Sequence, residues 1–254
     1  MVNKISIVLP CFNESERLPT TLAEIASFIS EHPTLIHEVI VVDDGSTDNG
    51  KTIESAMYYV KTLPLRIEQL IDNEGKWSAI RQGIETASTD AILLLDADGS
   101  ASINELSNIK SLQNVLTNKI AYFGSRFMKG ANTENKSLFR RVISRVYRQY
   151  VLFWYWFATG RRNIHDMQCP FKLIYKSKIQ GRLYEDRFAG DVELACKLDC
   201  RIKNIPINFM HMAGSSIKFT TMFAMAHRTL DICTRYRYKG VTSNEEMGTM
   251  RSER

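Results

Sequence analysis

The chain has little of what punctuates or staples a fold: its 254 residues include 6 Pro, 13 Gly and 5 Cys. So little Pro and Gly excludes a collagenous or low-complexity protein, and 44% hydrophobic residues exclude a disordered one. The cysteines, Cys11, Cys169, Cys196, Cys200 and Cys233, include no CxxC pair. Neither a disulfide framework nor a zinc site is indicated, and reduced thiols are expected. Long apolar runs are missing as well. The longest, Tyr150–Ala158, falls well short of the ~20 residues that a spanning helix needs. The apolar stretch before Pro10 is too short for a secretory core, so neither a signal peptide nor a transmembrane helix is expected. Charge of one sign is scarce too. The 33 basic and 28 acidic residues leave +5, which suits an anionic substrate or a membrane surface but requires neither, and no nucleic-acid partner is expected. Neither GxGxxG nor GxxxxGK[ST] occurs, which argues against a dinucleotide-binding dehydrogenase or a P-loop enzyme.

What is present is an alternation. Apolar, β-branched runs at Lys4–Leu9, Glu38–Val42, Leu65–Leu70 and Ala91–Leu95 read as strands, with Ile120–Gly124 as a fifth. Between them Glu14–Ser30, Asp48–Lys61, Lys76–Ala87 and Ile103–Leu116 have helical length and spacing. Four β-α units in succession predict an α/β fold with a mostly parallel central sheet flanked by helices. After Gly124 the character changes to a basic, aromatic segment, Ser137–Arg162, then a helix at Asp191–Leu198, a strand-like Ile202–Phe209 and an apolar helix around Phe219–Ile232.

In open α/β sheets ligands bind beyond the carboxyl ends of the strands. The first strand runs into Pro10-Cys11-Phe12-Asn13-Glu14, the second into Asp43-Asp44-Gly45-Ser46-Thr47-Asp48, and the fourth into Asp96-Ala97-Asp98-Gly99. Any one of these alone is an ordinary βα loop, since Asp and Ser cap helices and Gly makes turns. Together they bring four carboxylates to one sheet edge, where mutual repulsion calls for a cation or a donor. An Asp-x-Asp turn directs carboxylates at one divalent ion, and Mg²⁺ is usually held by one or two carboxylates plus substrate phosphates. A metal-bound diphosphate is therefore predicted.

VLPCFNE at Val8–Glu14, VVDDGSTD at Val41–Asp48 and DADG at Asp96–Gly99, in this order, resemble the family-2 inverting glycosyltransferases of GT-A fold. DNEGKWSAIRQG at Asp72–Gly83, GSR at Gly124–Arg126, DMQCPFKL at Asp166–Leu173 and GDVEL at Gly190–Leu194 are similar to the branch that glycosylates polyprenyl phosphates, and most of all to dolichyl-phosphate glucosyltransferases. The resemblance implies transfer of a hexose, glucose from UDP-glucose, to a polyprenyl or dolichyl phosphate with Mg²⁺ or Mn²⁺ as cofactor. It implies that Pro10, Phe12 and Glu14 line the nucleoside pocket, that Asp44 accepts from the uracil imide, that Asp96 faces the ribose and donor sugar, and that Asp98 ligates the metal. Asp43 has a more structural reading, capping its turn. Lys76 and Arg81 either add positive charge near the donor or belong to a solvated helix face. Arg126 is the phosphate-facing arginine, its fork matching a phosphate bidentately. Arg140 and Arg141 are either acceptor-phosphate ligands or part of a basic helical face. Asp191, rather than Glu193, faces the site as the acceptor-side acid, unless it only caps its helix. Lys218 would reach the diphosphate, and His211 either completes a metal shell or is a structural hydrogen-bonder. Trp77, where the branch has Gly, Pro170 in place of the Gly of QCGFK, and a blurred late GxSK element at Gly214–Lys218 depart from the pattern.

Tyr147, Tyr150, Val151, Trp154 and Phe157/Ala158 recur at helical spacing with arginines at both ends. This is the layout of an in-plane interfacial helix, with an aromatic core helix as the other reading. The expectation is a single catalytic domain over 1–240, with a nucleotide-sugar half at 1–126, an acceptor and membrane-interface half at 127–240, and a mobile tail at 241–254. Such a protein would be peripheral or monotopic on the cytoplasmic face of a membrane. A saccharide hydroxyl as acceptor, with Asp191 as its base, and a catalytically silent nucleotide-sugar-binding protein are the alternatives.

Overall fold

The computed structural model of the chain describes residues 3–133, 138–187, 189–210 and 219–252; the side chains of 133, 138–142, 219–220 and 238–252 fall outside that description. β1 (Ile5–Cys11), β2 (Ile36–Asp43), β3 (Leu65–Gln69) and β4 (Ala91–Leu94) run parallel, with α1 (Leu18–Glu31), α2 (Lys51–Met57) and α3 (Lys76–Thr86) as crossovers. The strands form because their side chains alternate between two buried faces. Ile5, Ile7, Leu9, Val39, Val41 and Leu93 join one core with Leu18, Leu22, Ile25 and Phe28 of α1. Val8, Ile40, Val42, Ile92 and Leu94 join the other with Trp77, Ile80 and Ile84 of α3.

Past β4 a short 3₁₀ turn (Ile103–Asn108) and α4 (Leu112–Thr117) precede β5 (Ala121–Ser125) and β6 (Asn132–Thr133). α5 (Leu138–Thr159), β7 (Lys172–Tyr175), α6 (Gly190–Lys197), β8 (Ile202–Pro206), β9 (Asn208–Phe209) and α7 (Phe219–Ser252) follow. The main sheet has seven strands in the order β3-β2-β1-β4-β7-β5-β8, and β6 pairs with β9 separately. β7 lies antiparallel to both neighbours, and every other pairing in that sheet is parallel.

Several elements differ from the sequence expectation. The single helix foreseen at Ile103–Leu116 is broken where Ser111 adopts φ 55°, and the turn before it is capped by Ser102, whose hydroxyl accepts from the Asn104 amide at 2.9 Å. The run Ile202–Phe209 splits into β8 and β9, and α7 continues beyond Ile232 to Ser252. The aromatic stripe of α5 faces inward. Val151 and Tyr155 are buried, while Tyr147, Tyr150, Trp154 and Ala158 pack on the same core. The Tyr150 hydroxyl donates to the Ala226 carbonyl of α7 at 2.9 Å. Among the described side chains of α5, the exposed large apolar ones are Val146, Phe153 and Trp156. Among the described residues no helix is long and apolar enough to cross a membrane.

Candidate active site

The register places Cys11 of β1 beside Asp43 of β2, and Val8 beside Leu94 of β4, so the loops after these three strands open on one edge of the sheet. Two of them are stitched together. The Asn13 amide donates to the Ser46 hydroxyl at 2.9 Å, and the Thr47 amide donates to Asn13 Oδ1 at 2.9 Å. Asp43 is fully buried and structural, as its sequence context suggests. It accepts from the Ser46 amide at 3.2 Å, from the Ser46 hydroxyl, and from Gln69 Nε2 at 3.3 Å.

A cavity of about 260 Å³ lies at this edge, and Pro10, Phe12, Glu14, Asp44, Lys76, Asp96 and Asp98 all line it. Asp44 holds the third loop. Its carboxylate accepts from the Glu74 amide at 3.0 Å and from the Gly75 amide at 3.0 and 3.1 Å. Burial raises its pKa, against the opposing pull of those two amides. Gly75 sits at φ +119°, where a Cβ would fall 2.5 Å from the Asp186 carbonyl, so only glycine fits. That carbonyl in turn accepts from the Trp77 and Ser78 amides at 2.7 and 3.0 Å, closing the first turn of α3.

Lys76, the first residue of α3, reaches into the cavity and pairs with Asp96 at 2.5 Å. Burial alone would lower its pKa, but Asp96, with Asp191 and Asp98 farther off, outweighs it and keeps the ammonium charged. Asp98 accepts the Ser100 amide on Oδ1 at 2.9 Å. Glu14 pairs with Arg17 at 2.6 Å through Oε1, while its buried Oε2 has no partner among the described residues. Burial pushes the Glu14 carboxyl up, beyond what Arg17 offsets. Asn73, Gly75 and Arg187 also line the cavity. Sequence reasoning assigned none of these three a role: Asn73 and Gly75 lie within the DNEGKWSAIRQG motif, and Arg187 is an isolated arginine outside any motif.

Arg81 lies apart. It pairs with Asp186 at 2.7 Å and donates to the Ser78 hydroxyl at 3.1 Å, bracing the loop that caps α3 instead of lining the cavity. Arg126, at the end of β5, gives its fork to Asp166, with Nε to Oδ2 at 2.7 Å and Nη2 to Oδ1 at 3.0 Å. Burial works against both charges, and their mutual attraction prevails, lowering the Asp166 pKa and raising that of Arg126. Asp191, in the first turn of α6, pairs at 2.6 Å with Lys172 of β7, whose side chain is 2% exposed. Glu193 is spent on structure, accepting the Tyr184 and Glu185 amides at 2.8 Å and pairing with Lys197 at 2.7 Å. Asp191 thus pairs with Lys172 of the sheet, while Glu193 is committed to the loop before α6 and to Lys197. The unusual Trp77 is buried at the start of α3, and a Cβ on Gly190 would lie 2.2 Å from its ring, so the indole fills the seam between α3 and α6. Arg140 and Arg141 lie on α5 with side chains outside the described residues, and His211 and Lys218 lie outside them altogether.

Among the described residues no three His, Cys, Asp or Glu side chains converge as a complete ion cage. Mg²⁺ does not need one where a substrate phosphate supplies the other oxygens. Asp96 and Asp98 on one cavity wall, with Asp98 Oδ2 bonded to nothing among the described residues, meet that weaker requirement.

Residues 6–180 match the family model described as glycosyl transferase family 2. The chain is 32% identical to the dolichyl-phosphate beta-glucosyltransferase of Homo sapiens over 92% of its own length and 76% of that protein. To the protein of the same name from Saccharomyces cerevisiae it is 31% identical, over 84% and 69%. Among solved structures it resembles mannosyl-3-phosphoglycerate synthase from Rubrobacter xylanophilus, with a TM-score of 0.61 at 14% identity over 94% of this chain and 75% of that one.

Proposed function

The chain belongs to glycosyl transferase family 2 and is a glycosyltransferase of GT-A fold, and on that premise we propose that it transfers glucose from UDP-glucose to a polyprenyl phosphate of dolichyl type, giving a β-linked lipid-phosphate sugar. The observation that carries this reading is the convergence of Pro10, Phe12, Glu14, Asp44, Lys76, Asp96 and Asp98 on one cavity at the strand ends. The names of the human and yeast relatives support the acceptor and the sugar.

In this reading Phe12 and Pro10 flank the base, Asp44 faces its imide, and Asp96 faces the ribose and sugar. Asp98, with Asp96 beside it, would hold Mg²⁺ or Mn²⁺, which would supply Lewis-acid stabilisation of the charge on the departing nucleotide. Lys76 adds a fixed positive charge to the same wall. A phosphate monoester is already largely ionised near neutral pH, its second pKa being about 6, so the acceptor needs orientation more than deprotonation. Asp191 and its partner Lys172 supply a fixed dipole on the acceptor side. Arg140 and Arg141 provide the positive charge that draws the acceptor phosphate in, while Arg126, expected from the sequence to face that phosphate, gives its fork to Asp166 and braces the acceptor side. The chain is a single catalytic domain that works as a peripheral or monotopic protein on the cytoplasmic face of a membrane. The exposed Val146, Phe153 and Trp156 of α5, flanked by exposed Arg145 and Arg162, support contact with an anionic lipid surface.

Purified chain incubated with Mg²⁺ or Mn²⁺, a short polyprenyl phosphate and UDP-glucose, GDP-mannose or UDP-N-acetylglucosamine in parallel tests the reading by the mass of the lipid product. A lipid-phosphate hexose from UDP-glucose is expected. UDP release without any lipid product would move the acceptor to a saccharide hydroxyl.

A further inference from the structure

Beside the 260 Å³ cavity lies a larger cleft of about 710 Å³, walled by the segment that contains Glu185 and Asp186 on one side and by Met225 and Arg228 of α7 on the other. One residue lines both spaces: Arg187 belongs to the wall of the cavity and of the cleft alike. Its stem packs close against Gly75, since a Cβ there would lie 2.7 Å from Arg187 Cγ and 3.1 Å from its Cα. The side chain thus leaves the backbone next to the amides that Asp44 holds.

The other cations near these two spaces already have carboxylate partners. Lys76 pairs with Asp96, Arg81 with Asp186, Arg126 with Asp166, and Arg228 with Glu185 and Asp231. Arg187 has no ion pair within 4.0 Å among the described residues, although Glu14, Asp44, Asp96 and Asp98 line the cavity it shares. An exposed arginine is ordinarily a solvated one. Here it stands where a carboxylate-lined cavity meets a wider cleft, and those carboxylates alone would repel a doubly charged diphosphate. A planar, permanently charged fork at that mouth offers what the ligand needs.

We propose that Arg187 binds the diphosphate of the nucleotide donor at the junction of the cavity and the cleft, and so fixes where the sugar projects. This rests on the donor reading given above and adds to it a residue that no motif marked. Arg187 acts by binding and orienting the leaving group, with no proton or covalent role.

The test is calorimetric binding of UDP and of uridine, each with Mg²⁺, to the full chain and to Arg187→Ala and Arg187→Lys, with thermal unfolding as the control for folding. Wild type is expected to prefer UDP over uridine. Arg187→Ala should lose about 10- to 100-fold in UDP affinity with uridine affinity unchanged, the loss typical of a charge-assisted contact. Arg187→Lys should recover part of it, the point charge replacing the fork. Arg187→Ala that folds and binds UDP as tightly as wild type would overturn the inference while leaving the donor reading intact. Equal losses for UDP and uridine would likewise overturn it, pointing to a distorted loop. A wild-type chain that binds no UDP at all would overturn both.

Discussion

Around the ends of β1, β2 and β4 carboxylates face a cavity with oxygens to spare, whereas beyond β5 three buried or half-buried cations are answered inside the protein. In the first region Asp98 spends one oxygen on an amide, and Glu14 Oε2 is buried without a partner among the described residues. In the second, Arg126 meets Asp166, Lys172 meets Asp191, and Lys197 meets Glu193. The acidities divide the same way. Burial pushes Glu14 and Asp44 up, while the Arg126 guanidinium overcomes burial and holds Asp166 down. Unanswered charge is costly to keep inside a fold unless a ligand completes it. The first region is thus shaped for a ligand, and the second region's pairs hold helices and strands at fixed distances from that ligand.

The sharpest way to break this contrast is to remove a charge from each side. Asp98→Ala should cost turnover about 10³-fold, in line with the several kcal/mol that a catalytic cation contributes, with little change in stability. Steady-state rates with saturating metal check it, and equal activity would remove Asp98 from the metal site. Lys172→Met should act on the fold first. It strands Asp191 beside an apolar neighbour and should cost about 3 kcal/mol in urea unfolding, the low end for a broken pair because Asp191 keeps 18% exposure. Adding Asp191→Leu should recover much of that stability without recovering turnover. Undiminished stability of Lys172→Met would show the pair to be incidental.

A smaller effect is expected at the α5 surface. Replacing Phe153 and Trp156 together by Ser should weaken binding to anionic liposomes about 10-fold and leave the unfolding midpoint nearly unchanged, because both rings are exposed, at 51% and 38%. Binding that does not change would leave that face without a lipid role. The smallest effect concerns Glu14. Its folded-state pKa is raised, so its contribution to stability is complete below the ordinary glutamate value of about 4.3 and is lost as the pH rises through the higher folded value. Glu14→Gln, which stays neutral, should therefore gain in unfolding midpoint over wild type at pH 7, and that gain should vanish as the pH falls below about 4.3. The opposite pH trend would contradict the burial argument.

The first region was also the more legible. Alternating β-branched runs reveal β1 to β4, and the acidic turns that follow them reveal the cavity, because strand ends and ligand sites coincide in open parallel sheets. β7 was not visible. Its four residues begin with a lysine, and only the fold shows that Lys172 is neutralised by Asp191 in the core. The period of α5 identified an amphipathic helix but not which aromatic face turns inward, since α7, far away in sequence, decides that. Arg81 and Lys76 looked equivalent on one helix, yet the first is taken by Asp186 and the second enters the cavity. Arg187 had no signal beyond lying just before GDVEL. Trp77 looked like a departure from the family pattern, and becomes intelligible once Gly190 is seen to make room for its ring.

The most direct measurement is a crystal structure of the chain with UDP and Mn²⁺, reading the anomalous signal of the ion. The expected result is a manganese peak at the Asp98 carboxylate, bridged by the diphosphate, with the uracil between Phe12 and Asp44. A nucleotide seated in the cleft beside Arg228, with no ion at Asp98, would contradict the assignment of the strand-end cavity as the donor site.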